Sequence, residues 1–149
     1  LIERGWTLGL AESCTGGMIG HTITNLPGSS AYFVGSVVSY ADRIKRDLLG
    51  VPDGLIRSYG VVSEPVARAM AGAARRVLGV DVALAVTGIA GPTGGTPEKP
   101  VGTVYIGIAT PSGQKVRHFV WDGDRLENKR HSTRAALQLL IDMLQADAG

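Results

Sequence analysis

The residues best suited to chemistry stand together in Ala11-Glu12-Ser13-Cys14-Thr15-Gly16-Gly17, which follows a short apolar segment at residues 6–10 and precedes an apolar-periodic one beginning at Met18. The order reads as a strand running into a helix through a turn that carries a hydroxyl, a thiol, a second hydroxyl and two glycines. Free backbone N–H groups converge at a helix start, where they stabilise a developing oxyanion or a bound phosphate, so Ser13 or Cys14 at this place is a candidate nucleophile. The plainer reading makes Ser13 or Thr15 the helix cap, a position that both residue types favour. Caps far outnumber nucleophiles, and the residue types alone favour the cap.

Lysine is the candidate base. Tyr40 and Lys45 lie where a β-rich run at residues 32–40 meets the helical pattern that starts at Asp42. If that run neighbours the first strand in parallel, both residues reach the sheet edge that carries Ser13, and open α/β sheets bind ligands at those carboxyl ends. To accept a proton Lys45 must first lose one, so its pKa of about 10.4 has to fall toward ~7–8 through burial or cationic neighbours. Ala41, Leu48 and Leu49 would help to desolvate it. Asp42, three residues earlier, permits an ordinary surface ion pair instead, and a surface lysine is the default.

A third candidate is the loop Thr87-Gly88-Ile89-Ala90-Gly91-Pro92-Thr93-Gly94-Gly95, which follows an apolar run at residues 81–86. Its N–H groups could cradle a phosphate with the Thr87 hydroxyl as an added donor, or the segment could be a plain connector. Arg125, Lys129, Arg130 and Arg134 cluster at the start of the last helical pattern, where they could meet an anion or form a solvated face. His21, His118 and His131 are scattered without metal-ligand spacing, so no metal is expected. The P-loop, dinucleotide-binding, zinc-protease and nucleophile-elbow templates are all missing.

These residues need a scaffold. Residues 18–25 read as a short helix closed by Pro27-Gly28-Ser29-Ser30, and from Asp42 a helix places Ile44, Leu48 and Leu49 on one face with Gly50 just past its end. Ser63-Glu64-Pro65 opens the clearest helix, with Ser63 as N-cap and Val66, Met70, Ala74 and Val77 at helical spacing. Residues 81–86 lack alternation and suit a strand buried on both faces; residues 101–110 and 115–120 flank Pro111-Ser112-Gly113 as a hairpin. Asp124 and Glu127 form a capping box ahead of a helix striped by Leu137, Leu140, Ile141 and Leu144. Alternating strands and helices plus one hairpin predict an α/β fold, a three-layer α/β/α sandwich with a mixed, mostly parallel sheet.

Composition narrows the class. The 149 residues suit one domain, and the net charge of +2 is too small for the electrostatic footprint of a nucleic-acid binder. The 21 glycines and 5% aromatic content fit tight βα turns better than stacking platforms. Cys14, the lone cysteine, cannot form an internal bridge, and no apolar run approaches the ~20 residues of a membrane span. A cytoplasmic protein that binds neither nucleic acid nor membrane is expected. The opening Leu1-Ile2-Glu3-Arg4-Gly5 reads as the tail of a helix, so further residues are expected to precede it.

Six stretches together resemble the signatures of the CinA C-terminal domain family: Ala11-Glu12-Ser13-Cys14-Thr15-Gly16-Gly17, Pro27-Gly28-Ser29-Ser30, Gly60-Val61-Val62-Ser63-Glu64, Val86-Thr87-Gly88-Ile89-Ala90-Gly91-Pro92, Lys99-Pro100-Val101-Gly102-Thr103-Val104 and Gly123-Asp124-Arg125. The resemblance runs in order along nearly the whole chain. Members of that family include nicotinamide-nucleotide amidohydrolases. The resemblance implies a three-layer α/β/α fold, commonly in homodimers, and hydrolysis of nicotinamide mononucleotide to nicotinate mononucleotide and ammonia for pyridine-nucleotide salvage, with no cofactor. The family's proposed catalytic serine falls on Ser13, and its tyrosine and lysine partners fall on Tyr40 and Lys45. Its hydroxyl-bearing residue before Gly-Ile-Ala-Gly-Pro falls on Thr87, and its arginine falls on Arg125, with Arg130 the nearby alternative. In the mechanism this implies, Ser13 attacks the carboxamide carbon and Lys45 takes its proton, with Tyr40 relaying or orienting. Amides near Gly16 and Gly17 hold the oxyanion, and Thr15, Thr87, Gly88 and Arg125 contact the substrate. Cys14 is the rival nucleophile. A non-catalytic nucleotide-binding or partner-binding module of a competence or damage-inducible protein is the alternative, and ammonia release distinguishes the two.

Overall fold

Strands β1 (Leu8–Glu12), β2 (Phe33–Val38), β3 (Val82–Gly88), β4 (Thr103–Thr110) and β5 (Gly113–Val120) form one five-stranded sheet in the order β2-β1-β3-β4-β5. The structure is a computed structural model and describes residues 1–147. β1 pairs in parallel with β2 and β3, while β3–β4 and β4–β5 are antiparallel, so every strand but β4 points the same way. Helices α1 (Met18–Thr24) and α5 (Arg125–Ala146) cover one face; α4 (Glu64–Leu78) covers the other, together with α2 (Asp42–Asp47) and α3 (Asp53–Tyr59). This is the three-layer α/β sandwich with a mixed sheet that the sequence predicts.

The two faces of the sheet differ in side-chain size. Leu8, Leu10, Val82, Leu84, Val86, Ile106 and Ile108 face Ile19, Ile23, Ala136 and Leu139 of α1 and α5. Ala11, Ala83, Ala85 and Ala109 face Val66, Met70 and Ala74 of α4. Both sides of β3 are therefore apolar, large on one side and small on the other, which is why its sequence shows no polar alternation. Each fully buried Leu or Ile contributes about 1.5–3 kcal/mol.

Caps and turns follow the expected chemistry. The Ser63 hydroxyl accepts from the Val66 amide at 3.4 Å. Asp124 and Glu127 complete a reciprocal capping box at the start of α5. Three expectations need correction. α2 ends at Asp47, so Leu48 is left exposed, Leu49 is buried beyond the helix end, and Lys45 takes the inward position. The buried stripe of α5 is Ala136, Leu139, Leu140 and Met143 instead of one including Ile141, which is 47% exposed. α3 has no counterpart in the sequence reading, because none of its residues is buried and its sequence carries no apolar period. No described helix is long and apolar enough to cross a membrane.

Candidate active site

β1, β2 and β3 end side by side at one edge of the sheet, where the segments that leave β1 and β2 carry Ser13 and Tyr40 and the last residues of β3 include Thr87. The turn after β1 is organised by Glu12, which is fully buried. Its Oε1 accepts from the Thr15 hydroxyl at 2.8 Å and the Ile19 amide at 2.9 Å; its Oε2 accepts from the Gly20 amide at 3.1 Å and the Ser36 hydroxyl at 2.9 Å. Burying a carboxylate costs several kcal/mol unless its lone pairs are satisfied, and here four donors and the positive end of α1 satisfy them.

The capping expectation for Ser13 and Thr15 is therefore overturned. A carboxylate already occupies the amides at the helix start, and the N-cap position itself is Gly17. Thr15 is fully buried with its hydroxyl committed to Glu12, so it faces the interior and not a substrate. Gly16 (φ 59) and Gly17 (φ 101) adopt left-handed conformations, which let the chain reverse without a Cβ penalty. The Gly16 amide donates to the Ser13 carbonyl at 3.0 Å, so it is not the free oxyanion donor expected there.

With capping assigned to Glu12, the Ser13 hydroxyl turns to Lys45. The Lys45 Nζ lies 2.9 Å from Ser13 Oγ, 2.7 Å from the Ser39 carbonyl and 3.5 Å from the Tyr40 carbonyl. Lys45 is 1% exposed, so it is not a surface lysine. Burial pulls its pKa below the ordinary lysine value, and the nearby Asp42 and Cys14 oppose that only in part. A buried amine beside a hydroxyl, with its proton affinity lowered, is equipped to take that hydroxyl's proton.

Cys14 is unsuited to compete. Burial pushes its thiol up to about 12, with its own amide and the Lys45 and Lys129 charges pulling the other way. The thiolate is the reactive form, so a thiol held this high is inert near neutrality. The sulfur packs by Gly88, where a Cβ would stand 2.6 Å from Val104 Cγ2, 2.9 Å from the Thr103 carbonyl and 3.1 Å from Cys14 Sγ, so any side chain there must displace its neighbours.

A cleft of about 160 Å³ opens above this pair, lined by Ser13, Lys45, Tyr40, Thr87, Gly88 and Arg125 among others. Arg125 reaches across it, donating to the Gly91 carbonyl at 2.7 Å and to the Tyr40 hydroxyl at 2.9 Å. Tyr40 thus meets Lys45 through its carbonyl alone, while its phenol pairs with Arg125 and lies off the path from Ser13 to the amine. The Thr87 hydroxyl donates to the Val61 carbonyl at 2.7 Å. Its single proton is committed there, so Thr87 holds the cleft wall in place and is not the added phosphate donor expected of it.

The basic cluster on α5 splits. Arg125 faces the cleft, and the Lys129 Nζ comes within 3.6 Å of where a Gly16 Cβ would stand. Arg130 and Arg134 line a separate groove with Met18 and Thr22, which assigns the cleft to Arg125. His118 stacks on Tyr105 and His131 lies against Trp121, away from the cleft. A larger groove of about 1090 Å³ lies at the opposite end of the sheet beside the β4–β5 turn. Its Arg75 and Arg76 are tied to main-chain carbonyls of Asp81 and Leu49, and it brings no nucleophile and base together. The signal for Glu12, which sequence reasoning passed over, is an acid ending an apolar strand just ahead of a helix start.

Comparison with known proteins identifies the family and agrees with the fold. The family model for the CinA C-terminal domain matches residues 1–144. A CinA-like protein of Geobacter metallireducens is 57% identical over 123 residues, covering 83% of this chain and 30% of that protein. One of Desulfotalea psychrophila is 50% identical over 147 residues, covering 99% of this chain and 36% of that protein. The chain thus spans about a third of the length of these relatives. The crystal structure of the competence damage-inducible protein A from Klebsiella pneumoniae superposes with a TM-score of 0.94 at 32% identity, over 97% of this chain and 90% of that one. The competence/damage inducible protein CihA from Agrobacterium tumefaciens gives 0.89 at 40% identity, over 95% and 87% of the two chains. With matches of this extent, the chain belongs to the CinA C-terminal domain family.

Proposed function

We propose that this domain is an amidohydrolase that converts nicotinamide mononucleotide and water to nicotinate mononucleotide and ammonia. The observation that carries the reading is the 2.9 Å pairing of Ser13 Oγ with a buried Lys45 amine. Ser13 Oγ attacks the carboxamide carbon while its proton passes to the neutral Lys45. The C–N bond then breaks, the amide nitrogen leaves as ammonia with that proton, and an ester to Ser13 remains. Water, giving a proton to Lys45 in its turn, hydrolyses the ester and returns the serine.

The surroundings suit such a substrate. A cleft of about 160 Å³ accommodates a ring-sized carboxamide, and a neighbouring groove of about 580 Å³, lined by Ala90, Pro92, Val101 and Asp124, shares Arg125 with it. The ring would occupy the cleft, with the ribose and phosphate running past Arg125. The Arg125 guanidinium and the Lys129 ammonium set positive charge on the side facing α5, where an anionic group gains most. Tyr40 orients Arg125 through its phenol.

The test is ammonia release from nicotinamide mononucleotide by the wild-type domain and by Ser13→Ala. Turnover lost in the variant supports the reading, and turnover retained near wild type overturns Ser13 as nucleophile. Binding of the mononucleotide by the wild-type domain without any ammonia would favour a binding module instead.

A further inference from the structure

The reactive pair needs two separate segments held at one distance, and one residue touches both. The Glu12 carboxylate bonds to Thr15, Ile19 and Gly20 and so fixes the turn that carries Ser13. The Glu12 carbonyl accepts from the Ser39 amide at 2.7 Å and from the Ser39 hydroxyl at 3.2 Å. Ser39 is fully buried, and its own carbonyl receives the Lys45 amine at 2.7 Å. The side chain of Glu12 therefore sets the hydroxyl, and its main chain, acting through Ser39, sets the amine.

We propose that Glu12 and Ser39 are the positioning residues of this site, clamping the end of β2 onto the end of β1 so that Lys45 Nζ meets Ser13 Oγ. The inference rests on the hydrolytic reading above for its kinetic consequences only, since the clamp itself concerns the amine. Ser39 lies at the point where β2 gives way to the segment leading to α2. Its amide bond to Glu12 extends the ladder between the two strands, and its hydroxyl adds a second tether at the same oxygen. Removing that tether lets the Ser39 carbonyl swing and admits water to the amine. Glu12 carries the larger share, because shortening it takes the acceptor from four donors and Glu12→Gln sets an NH2 group against two of them. The groups facing Lys45 from all sides are Asp42 on its own helix, Ser13 and Cys14 on the turn, and Tyr40 and Arg125 across the cleft, with Lys129 beyond Cys14.

Two measurements on the same variants test the clamp. The first follows the Lys45 amine directly, by NMR titration of 13C-labelled lysine in wild type, Ser39→Ala, Ser39→Thr and Glu12→Gln. Ser39→Ala is expected to move the Lys45 titration up toward the ordinary lysine range as water reaches the amine, and Ser39→Thr, which restores the hydroxyl, is expected to return it. The second is ammonia release. Ser39→Ala is expected to lower kcat about tenfold and Glu12→Gln about a hundredfold with KM within about twofold, the pattern of misplaced reacting groups. A Lys45 titration unchanged in Ser39→Ala overturns the clamp, even if Tm falls. If Glu12→Gln does not fold, the Ser39 pair decides. If wild type releases no ammonia while the titration shifts as described, the clamp stands and the hydrolytic reading falls.

Discussion

Two segments leave the same edge of the sheet next to each other and are held in opposite ways. The turn at residues 13–17 is buried for most of its length and is fixed through one side chain, the Glu12 carboxylate, whose partners come from the turn, α1 and β2. The loop at residues 89–102 is largely exposed and is closed by its own backbone: Ile89 donates to the Thr103 carbonyl, Gly102 to Ile89 and Thr96 to Lys99. Arg125 and Asn128 reach that loop from outside, onto the Gly91 and Ala90 carbonyls, and the loop's own Lys99 reaches out to the Tyr59 carbonyl. A reacting pair demands a fixed distance, and buried charge-assisted bonds supply it. A wall that frames a ligand needs only shape, which backbone closure supplies while leaving the side chains free to vary.

The contrast predicts that lesions at the first segment act on turnover and lesions at the second on binding or stability. The largest effect is expected from Ser13→Ala and Lys45→Met, each lowering kcat about a thousandfold or more while calorimetric affinity for the mononucleotide holds. Equal loss of affinity and turnover would erase the contrast. Next comes pH. Because burial lowers the Lys45 pKa, kcat should rise with pH along a limb centred below the ordinary lysine range, since the ammonium cannot take the Ser13 proton. The unfolded chain holds that proton more tightly than the native one, so Lys45 adds stability as pH rises from its native pKa toward 10.5. Lys45→Met should accordingly raise Tm at neutral pH, by about 2–4 °C for each kcal/mol relieved in a chain of this size.

Across the cleft, Arg125→Ala removes a charged donor from the ligand path. KM should rise about tenfold or more with a smaller change in kcat. Gly88→Ala forces a Cβ against Val104, the Thr103 carbonyl and Cys14, and should cost about 1–3 kcal/mol, read as a lower midpoint in chemical denaturation. The smallest effect belongs to Cys14→Ser, whose turnover should stay within about twofold, because burial pushes the thiol up to about 12 and so disfavours the thiolate that would be the nucleophile.

Much of this arrangement was legible in the residues. Strand segments and caps followed from local chemistry, whereas the order of the strands did not: Ser63 and the Asp124–Glu127 pair cap as their types require, and the Pro111-Ser112 turn closes the hairpin. The default readings of Ser13 and Lys45 failed for one shared reason, that burial is decided by elements far along the chain. Ser13 is no cap because Glu12 reaches the α1 amides first, and Lys45 is no surface lysine because α2 stops before Leu48 and turns the amine inward. Thr87 and Thr15 carry hydroxyls in the right places, yet each spends its proton on an internal acceptor that sequence cannot reveal. α3 stayed invisible because a short exposed helix leaves no apolar period to find.

β2 is the outermost strand on its side of the sheet, bonded to β1 alone. Lys45, the proposed base, is carried on the helix just beyond it, so separating its amine from the Ser13 hydroxyl requires only peeling this margin, a smaller opening than disruption of the β1–β3–β4 centre. In a urea series, ammonia release should therefore fade at concentrations where far-UV ellipticity is still native. Amide hydrogens of residues 35–39 should exchange with deuterium well before those of 83–87.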